Sequence, residues 1–230
     1  TALLLLPSLA YLAVAAEPPA APGTATPTAT ELRTPSGPTQ AISVDGWVLP
    51  DQPPKIFAEG RQQRVTLIIG NTSQETAGRG TAADLRASIT ERYGPLASRA
   101  IELYGVSEAS GGKPDPENGT PAAQWSTDST FRCGAIQELI WHAAAGNPGY
   151  EYQFSRPING KEPLGAAHGS EVPYIFGTLP VWQNERNYTD ADRQFALTIQ
   201  QYWINFARTG DPNGGNLTKW PRFDATQRSY

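Results

Sequence analysis

Only two histidines occur in the 230 residues, so a mechanism that needs an imidazole has two candidates, His142 and His168. His142 stands in Ile140-Trp141-His142-Ala143, inside a helical pattern with no carboxylate close by in sequence, and reads as an ordinary helix residue. His168 stands in Leu164-Gly165-Ala166-Ala167-His168-Gly169-Ser170-Glu171, a loop that follows an alternating strand pattern. Small neighbours let the backbone turn tightly and leave the ring accessible, which suits a general base at the carboxyl end of a strand and equally suits a loop histidine without a role. The carboxylate candidate is Glu75, in Ile69-Gly70-Asn71-Thr72-Ser73-Gln74-Glu75, just beyond a buried apolar run. In open α/β sheets, ligand and catalytic groups gather beyond the carboxyl ends of strands. A carboxylate there can accept a hydrogen bond from one imidazole nitrogen, fixing the tautomer and stabilising the cation formed when the other nitrogen takes a proton. A solvated loop glutamate fits the same local sequence.

The elements that must position these residues are legible from periodicity. Val65-Thr66-Leu67-Ile68-Ile69, ended by Gly70-Asn71, reads as a short buried parallel strand. Thr81 with Asp84 forms a capping box ahead of a helix whose Leu85 and Ile89 share a face and which stops at Gly94-Pro95. A second helix is expected from about Ser129, with Ile136, Leu139, Ile140 and Ala143 on its apolar side and Gly146 past its end. Residues 149–155 alternate, with Tyr150, Tyr152 and Phe154 on one side, as a strand does. The longest helix is capped by Thr189, carries Phe195, Ile199, Trp203 and Phe206 on one stripe, and ends at Gly210-Asp211-Pro212. Strand, helices, strand, loop and amphipathic helix in this order indicate an α/β layer architecture.

Composition narrows the class further. Lys+Arg 18 against Asp+Glu 22 gives a net charge of −4 with no run of either sign, which argues against a nucleic-acid partner. Gly 22 and Pro 21 exceed the roughly 12 % that the pair makes up on average, so the chain is rich in loops. The single cysteine, Cys133, cannot close an internal disulfide. Residues 1–16, TALLLLPSLAYLAVAA, are uncharged and apolar, too short for a stable membrane span, and end in an A-x-A pattern as a secretory signal does, which implies a secreted or periplasmic location; the basic start of a signal is missing, and a buried helix fits the same run. Residues 17–38, rich in Pro, Ala and Thr, read as a flexible linker, and residues 39–230 as the folded part. Methionine is absent and the chain begins at Thr1, so it is expected to be a piece of something longer. Sequons stand at Asn71, Asn118, Asn187 and Asn216, of which Asn71 lies too near Glu75 to be a good glycan acceptor.

Seven segments, in order and at plausible spacing over about residues 40 to 230, carry a resemblance: Val44-Asp45-Gly46-Trp47; Leu67-Ile68-Ile69-Gly70-Asn71 with Glu75; Asp128-Ser129-Thr130-Phe131-Arg132-Cys133; Tyr150-Glu151-Tyr152-Gln153-Phe154; Gly165 to Glu171; Tyr174-Ile175-Phe176-Gly177; and Tyr202 to Asn213 with Trp220-Pro221. The chain resembles the C-terminal half of a type-B carboxylesterase, a carboxylesterase- and cholinesterase-like α/β-hydrolase. The resemblance implies an incomplete α/β-hydrolase fold, a carboxylic ester as small-molecule substrate, no cofactor, Glu75 as triad acid and His168 as triad base. Their order in the chain, acid before His, is that of the fold. It also places Cys133 where secreted animal members often have a disulfide; without a partner here, a buried free thiol is expected.

One departure from the family pattern is decisive for function. The nucleophile elbow G-x-S-x-G occurs nowhere in the chain, and Gly105-Val106-Ser107-Glu108-Ala109, the nearest match, fails at its last position and follows Glu75. The Gly-rich oxyanion-hole segment is missing too. The expectation is a C-terminal portion of a serine esterase or lipase, inactive alone and complemented by an N-terminal half; the alternative is a secreted, non-catalytic, hydrolase-like binding or adhesion module. Half of a doubly covered sheet is expected to leave Ile68, Ile199 and Trp203 without cover, while Tyr174, Phe176 and Trp182 are candidates for an acyl or alcohol pocket as well as for core packing.

Overall fold

The computed structural model describes residues 43–107, 111–159 and 165–226. The expected segments 1–16 and 17–38 lie outside the described residues. In chain order the elements are α1 (Pro53–Ala58), β1 (Leu67–Thr72), α2 (Ala82–Tyr93), α3 (Ala97–Leu103), α4 (Pro121–Thr127), α5 (Cys133–Ala144), β2 (Gly149–Phe154), α6 (Val172–Ile175), α7 (Gln183–Arg186) and α8 (Asp190–Thr209).

β1 and β2 pair in parallel, in register from Leu67 opposite Gly149 to Thr72 opposite Phe154. Alternation puts Tyr150, Tyr152 and Phe154 on one face, where α8 covers them: Phe206 meets Tyr150 at 6.4 Å, Trp203 meets Tyr152 at 5.4 Å and Phe195 meets Phe154 at 6.2 Å between ring centroids. The other face carries Gly149, Glu151 and Gln153 and packs against α5, whose Leu139 seats on Gly149. Helices on both faces of a parallel pair give the α/β layering implied by the element order. A satellite cluster of Leu85, Ile89, Ala97 and Val106 joins α2 and α3 and packs against Trp125 of α4. Beyond β2, Trp220 Nε1 donates to Glu151 O at 2.8 Å and the Phe223 amide donates to Gly149 O at 2.9 Å, so the last described segment lies along that edge.

Several expectations need correction. Ile68 and Ile199 are buried and Trp203 is half-buried, because β2 and α8 cover one another within this chain. Gly70 and Asn71 belong to β1 rather than ending it: the Tyr152 ring lies over Gly70, so the glycine is a packing requirement inside the strand. The second helical stretch begins at Pro121, with Thr120 as its N-cap, and reaches Ser129 only through a five-residue π turn, Asp128–Arg132. In α5 the buried side chains are Ala135, Leu139 and His142, not Ile136, Ile140 and Ala143; seating Leu139 on Gly149 sets the rotation of the helix. Cys133, on the opposite side of α5 from that stripe, is exposed rather than buried. Of the three aromatics weighed for a pocket or for core packing, Tyr174 is in the core, which agrees with the packing reading, whereas Phe176 and Trp182 are exposed.

An added Cβ at Gly70 would lie 2.1 Å from Tyr152 O and 2.5 Å from its Cδ1, a clash with backbone that no rotamer change relieves. Gly70→Ala is therefore expected to destabilise the fold by about 3 kcal/mol, read as a lower denaturant midpoint. An unchanged midpoint would contradict the packing described for β1 and β2.

Candidate functional site

Glu75 lies three residues beyond the last residue of β1, and His168 in the loop between β2 and α6, both at the carboxyl end of the pair. Glu75 turns back on its own strand: Oε1 accepts from the Thr72 amide at 2.6 Å and Oε2 lies 2.5 Å from His168 Nδ1. The carboxylate is fully buried, while the His168 side chain is 46 % exposed. A carboxylate on Nδ1 makes that nitrogen the protonated one and leaves Nε2 to exchange a proton at the accessible edge. Burial of Glu75 strengthens its field at the imidazole, because less water screens it.

The pair is brought together by backbone pairing that continues past both strands. Ser73 N donates to Phe154 O at 2.8 Å, and Gln74 N donates to Ala166 O at 3.0 Å, so residues 166–167 run beside Gln74 as a short bridge. The Gln74 side chain donates to Glu117 O at 2.9 Å and fills the space left by two glycines; a Cβ on Gly165 would lie 2.3 Å from its Nε2 and one on Gly119 2.7 Å from its Oε1. Gln74 thus sets the spacing between the acid's loop and the histidine's loop. No local pattern marks Gln74 in the sequence beyond its place next to Glu75.

The π turn contributes two further neighbours. Phe131 packs against the imidazole with centroids 5.3 Å apart. Arg132 pairs with Asp128 and donates to Gln153 Oε1 at 2.8 Å, Asn118 Oδ1 at 3.2 Å and Ser73 O at 3.3 Å, joining the ends of both strands to the 115–119 loop. π turns recur at functional sites because they re-aim side chains within a helix.

Glu171, three residues after His168, is 2 % exposed, and its Oε2 has no hydrogen-bond partner among the described residues. The Oγ atoms of Ser73 and Ser170 are buried and unpartnered in the same sense. Burial pushes the Glu171 carboxyl above the usual carboxylate range, and the nearby Glu75 charge adds to that rise.

His142 has the bland role that its sequence suggested. It is buried, with Nε2 2.9 Å from Val65 O and Nδ1 3.4 Å from Gln62 Nε2, ahead of β1 and so at the opposite end of the strand from Glu75. Burial lowers its basicity. Asn71 is buried, which agrees with its reading as a poor glycan acceptor. Among the described residues no group of three His, Cys, Asp or Glu is arranged to hold a metal ion.

An acid whose value is raised by folding binds its proton more tightly in the folded state, so Glu171 costs stability as pH rises from about 4.3, the usual glutamate value, through its folded value. Glu171→Gln is expected to raise the thermal midpoint at pH 7 and to leave it unchanged near pH 4. Equal midpoints at pH 7 would show that the group carries no such cost.

A model of the carboxylesterase family matches residues 24–230. Cholinesterase of Mus musculus is 31 % identical over 212 residues, covering 82 % of this chain and 34 % of its own. The fatty acyl-CoA hydrolase precursor, medium chain, of Anas platyrhynchos is 28 % identical over 191 residues, 80 % of this chain and 31 % of its own. Carboxylesterase 4A of Bos taurus is 36 % identical over 107 residues, 45 % of this chain and 19 % of its own. A solved PNB esterase superposes with a TM-score of 0.61 at 29 % identity, over 78 % of this chain and 36 % of that one. The chain therefore spans at most about a third of the length of these relatives.

Proposed function

The chain belongs to the carboxylesterase family, with an α/β-hydrolase architecture, and from that premise we propose that Glu75 and His168 are the acid and base of a serine-type carboxylic ester hydrolase. The observation that supports this reading is the 2.5 Å contact between buried Glu75 Oε2 and His168 Nδ1 at the carboxyl end of β1 and β2. In the proposed cycle a serine hydroxyl attacks the ester carbonyl while His168 Nε2 takes its proton. The same nitrogen returns the proton to the leaving alkoxide, giving the alcohol and an acyl-enzyme. Water then repeats the two transfers and releases the acid. Glu75 keeps the Nδ1–H tautomer and offsets the positive charge on the ring in both halves.

These 230 residues contain no G-x-S-x-G, which supports a nucleophile supplied from elsewhere. Residues 39–230 are proposed to be the acid- and base-bearing portion of the hydrolase domain, with a signal-like leader at 1–16 and a linker at 17–38 for a secreted or periplasmic protein. The nucleophile and oxyanion donors come from an N-terminal half supplied in cis or as a separate chain. The missing elbow also favours a second reading, a non-catalytic binding or adhesion module. Such a module has no need of the Glu75–His168 pair, which weighs for the hydrolase.

Hydrolysis of a p-nitrophenyl ester separates these readings. The chain alone is expected to show no turnover above buffer. Co-expressed with the N-terminal half of a family member that carries the elbow, it is expected to restore turnover, and His168→Ala is expected to abolish it by a factor on the order of 10⁶. His168-dependent turnover by the chain alone would overturn the division of the triad. Restored turnover indifferent to His168→Ala would overturn the role of the histidine. A saturable protein partner with no complementation would favour the binding module.

A further inference from the structure

α2 and α8 open with the same device and use it differently. In α2, Asp84 accepts, among the described residues, from Thr81 alone, through its amide and hydroxyl at 2.8 Å each, and is exposed to solvent. In α8, Asp192 makes the same two contacts with Thr189, at 2.7 Å and 2.6 Å, but its carboxylate is fully buried and accepts three more donors from outside the helix. Arg156 Nε and Tyr174 OH (2.8 Å) meet Oδ1, and Asn159 Nδ2 meets Oδ2 at 3.0 Å. A helix cap needs none of these.

The three extra donors come from both sides of His168. Arg156 and Asn159 lie on the limb that leaves β2, and Tyr174 lies in α6, six residues past the histidine. Tyr174 is buried among Phe154, Phe195 and Tyr188, with centroids 5.2, 5.8 and 5.5 Å away, and Arg156 lies over Phe195 at 5.2 Å. We propose that Asp192 is a positioning residue for His168, tying both limbs of the histidine's loop to the start of α8 so that the imidazole stays on Glu75. The proposal rests on the acid–base reading of Glu75 and His168. Burial alone would raise the Asp192 carboxyl, but its bonds from Thr189, Arg156 and Tyr174 outweigh that and hold it well below the usual range, so the clamp stays ionised at neutral pH.

The two imidazoles supply their own control. The contact of His168 Nδ1 with Glu75 calls for the Nδ1–H tautomer, whereas His142 Nε2 against Val65 O calls for Nε2–H. Ring ¹⁵N shifts of the histidine-labelled full chain distinguish the two. Tyr174→Phe and Arg156→Gln each cut one tie and leave the Thr189 cap, and each is expected to lower the Nδ1–H to Nε2–H ratio of His168 by up to about tenfold, the worth of one hydrogen bond. His142 should not move. Thr189→Ala cuts only the cap, and is expected to lower the unfolding midpoint while leaving the His168 tautomer in place. The proposal is overturned if both tie variants leave His168 unchanged, or if Thr189→Ala shifts it as much as they do. Glu75→Gln tests the underlying pair separately: if that variant leaves the His168 tautomer unchanged, the acid–base reading falls rather than the clamp.

Discussion

The parallel pairing of β1 and β2 continues beyond the last residues of both strands, and the site exists because of it. Ser73 N reaches Phe154 O and Gln74 N reaches Ala166 O, so the segment leaving β1 is held first against the end of β2 and then against the loop that carries His168. Without those bonds, Glu75 and His168 would be loop residues separated by ninety-three positions in the chain. With them, the turn that sends the Glu75 carboxylate back to the Thr72 amide also aims it at the imidazole. Three glycines make the approach possible: Gly70 under Tyr152, and Gly119 and Gly165 around Gln74.

Three buried carboxylates near this end of the sheet illustrate how solvation and hydrogen bonding compete. Asp192 accepts five hydrogen bonds and stays ionised in spite of burial. Glu171 is also buried, with one oxygen unpartnered among the described residues, and its carboxyl is pushed up. Glu75 accepts from one backbone amide through Oε1 and meets an imidazole through Oε2, so its contacts serve aim. Depth alone is a poor guide to charge; the count and direction of donors decide it.

Capping boxes, the Tyr150–Tyr152–Phe154 alternation, the α8 stripe and its glycine stop were legible because each depends on neighbours three or four residues apart. Local pattern misleads where the deciding contact is distant. Gly70 looks like a strand terminator until Tyr152 is placed over it. Ile136 and Ile140 look like the inner side of α5 until Leu139 finds Gly149. Cys133 looks like a buried thiol until that rotation turns it outward.

By itself, the sequence determined the element types and their order, the family resemblance, the candidate acid and base, and the absence of a G-x-S-x-G elbow from these residues. Only the tertiary structure decided that Glu75 is a buried carboxylate on His168 Nδ1 rather than a solvated loop glutamate, and that His142 serves packing at the other end of β1. It also decided the contributions of Gln74, Arg132 and Asp192. The reason is physical: local patterns record short-range hydrogen bonds and periodic burial, whereas the protonation and aim of a side chain depend on desolvation and on donors that arrive from distant parts of the chain.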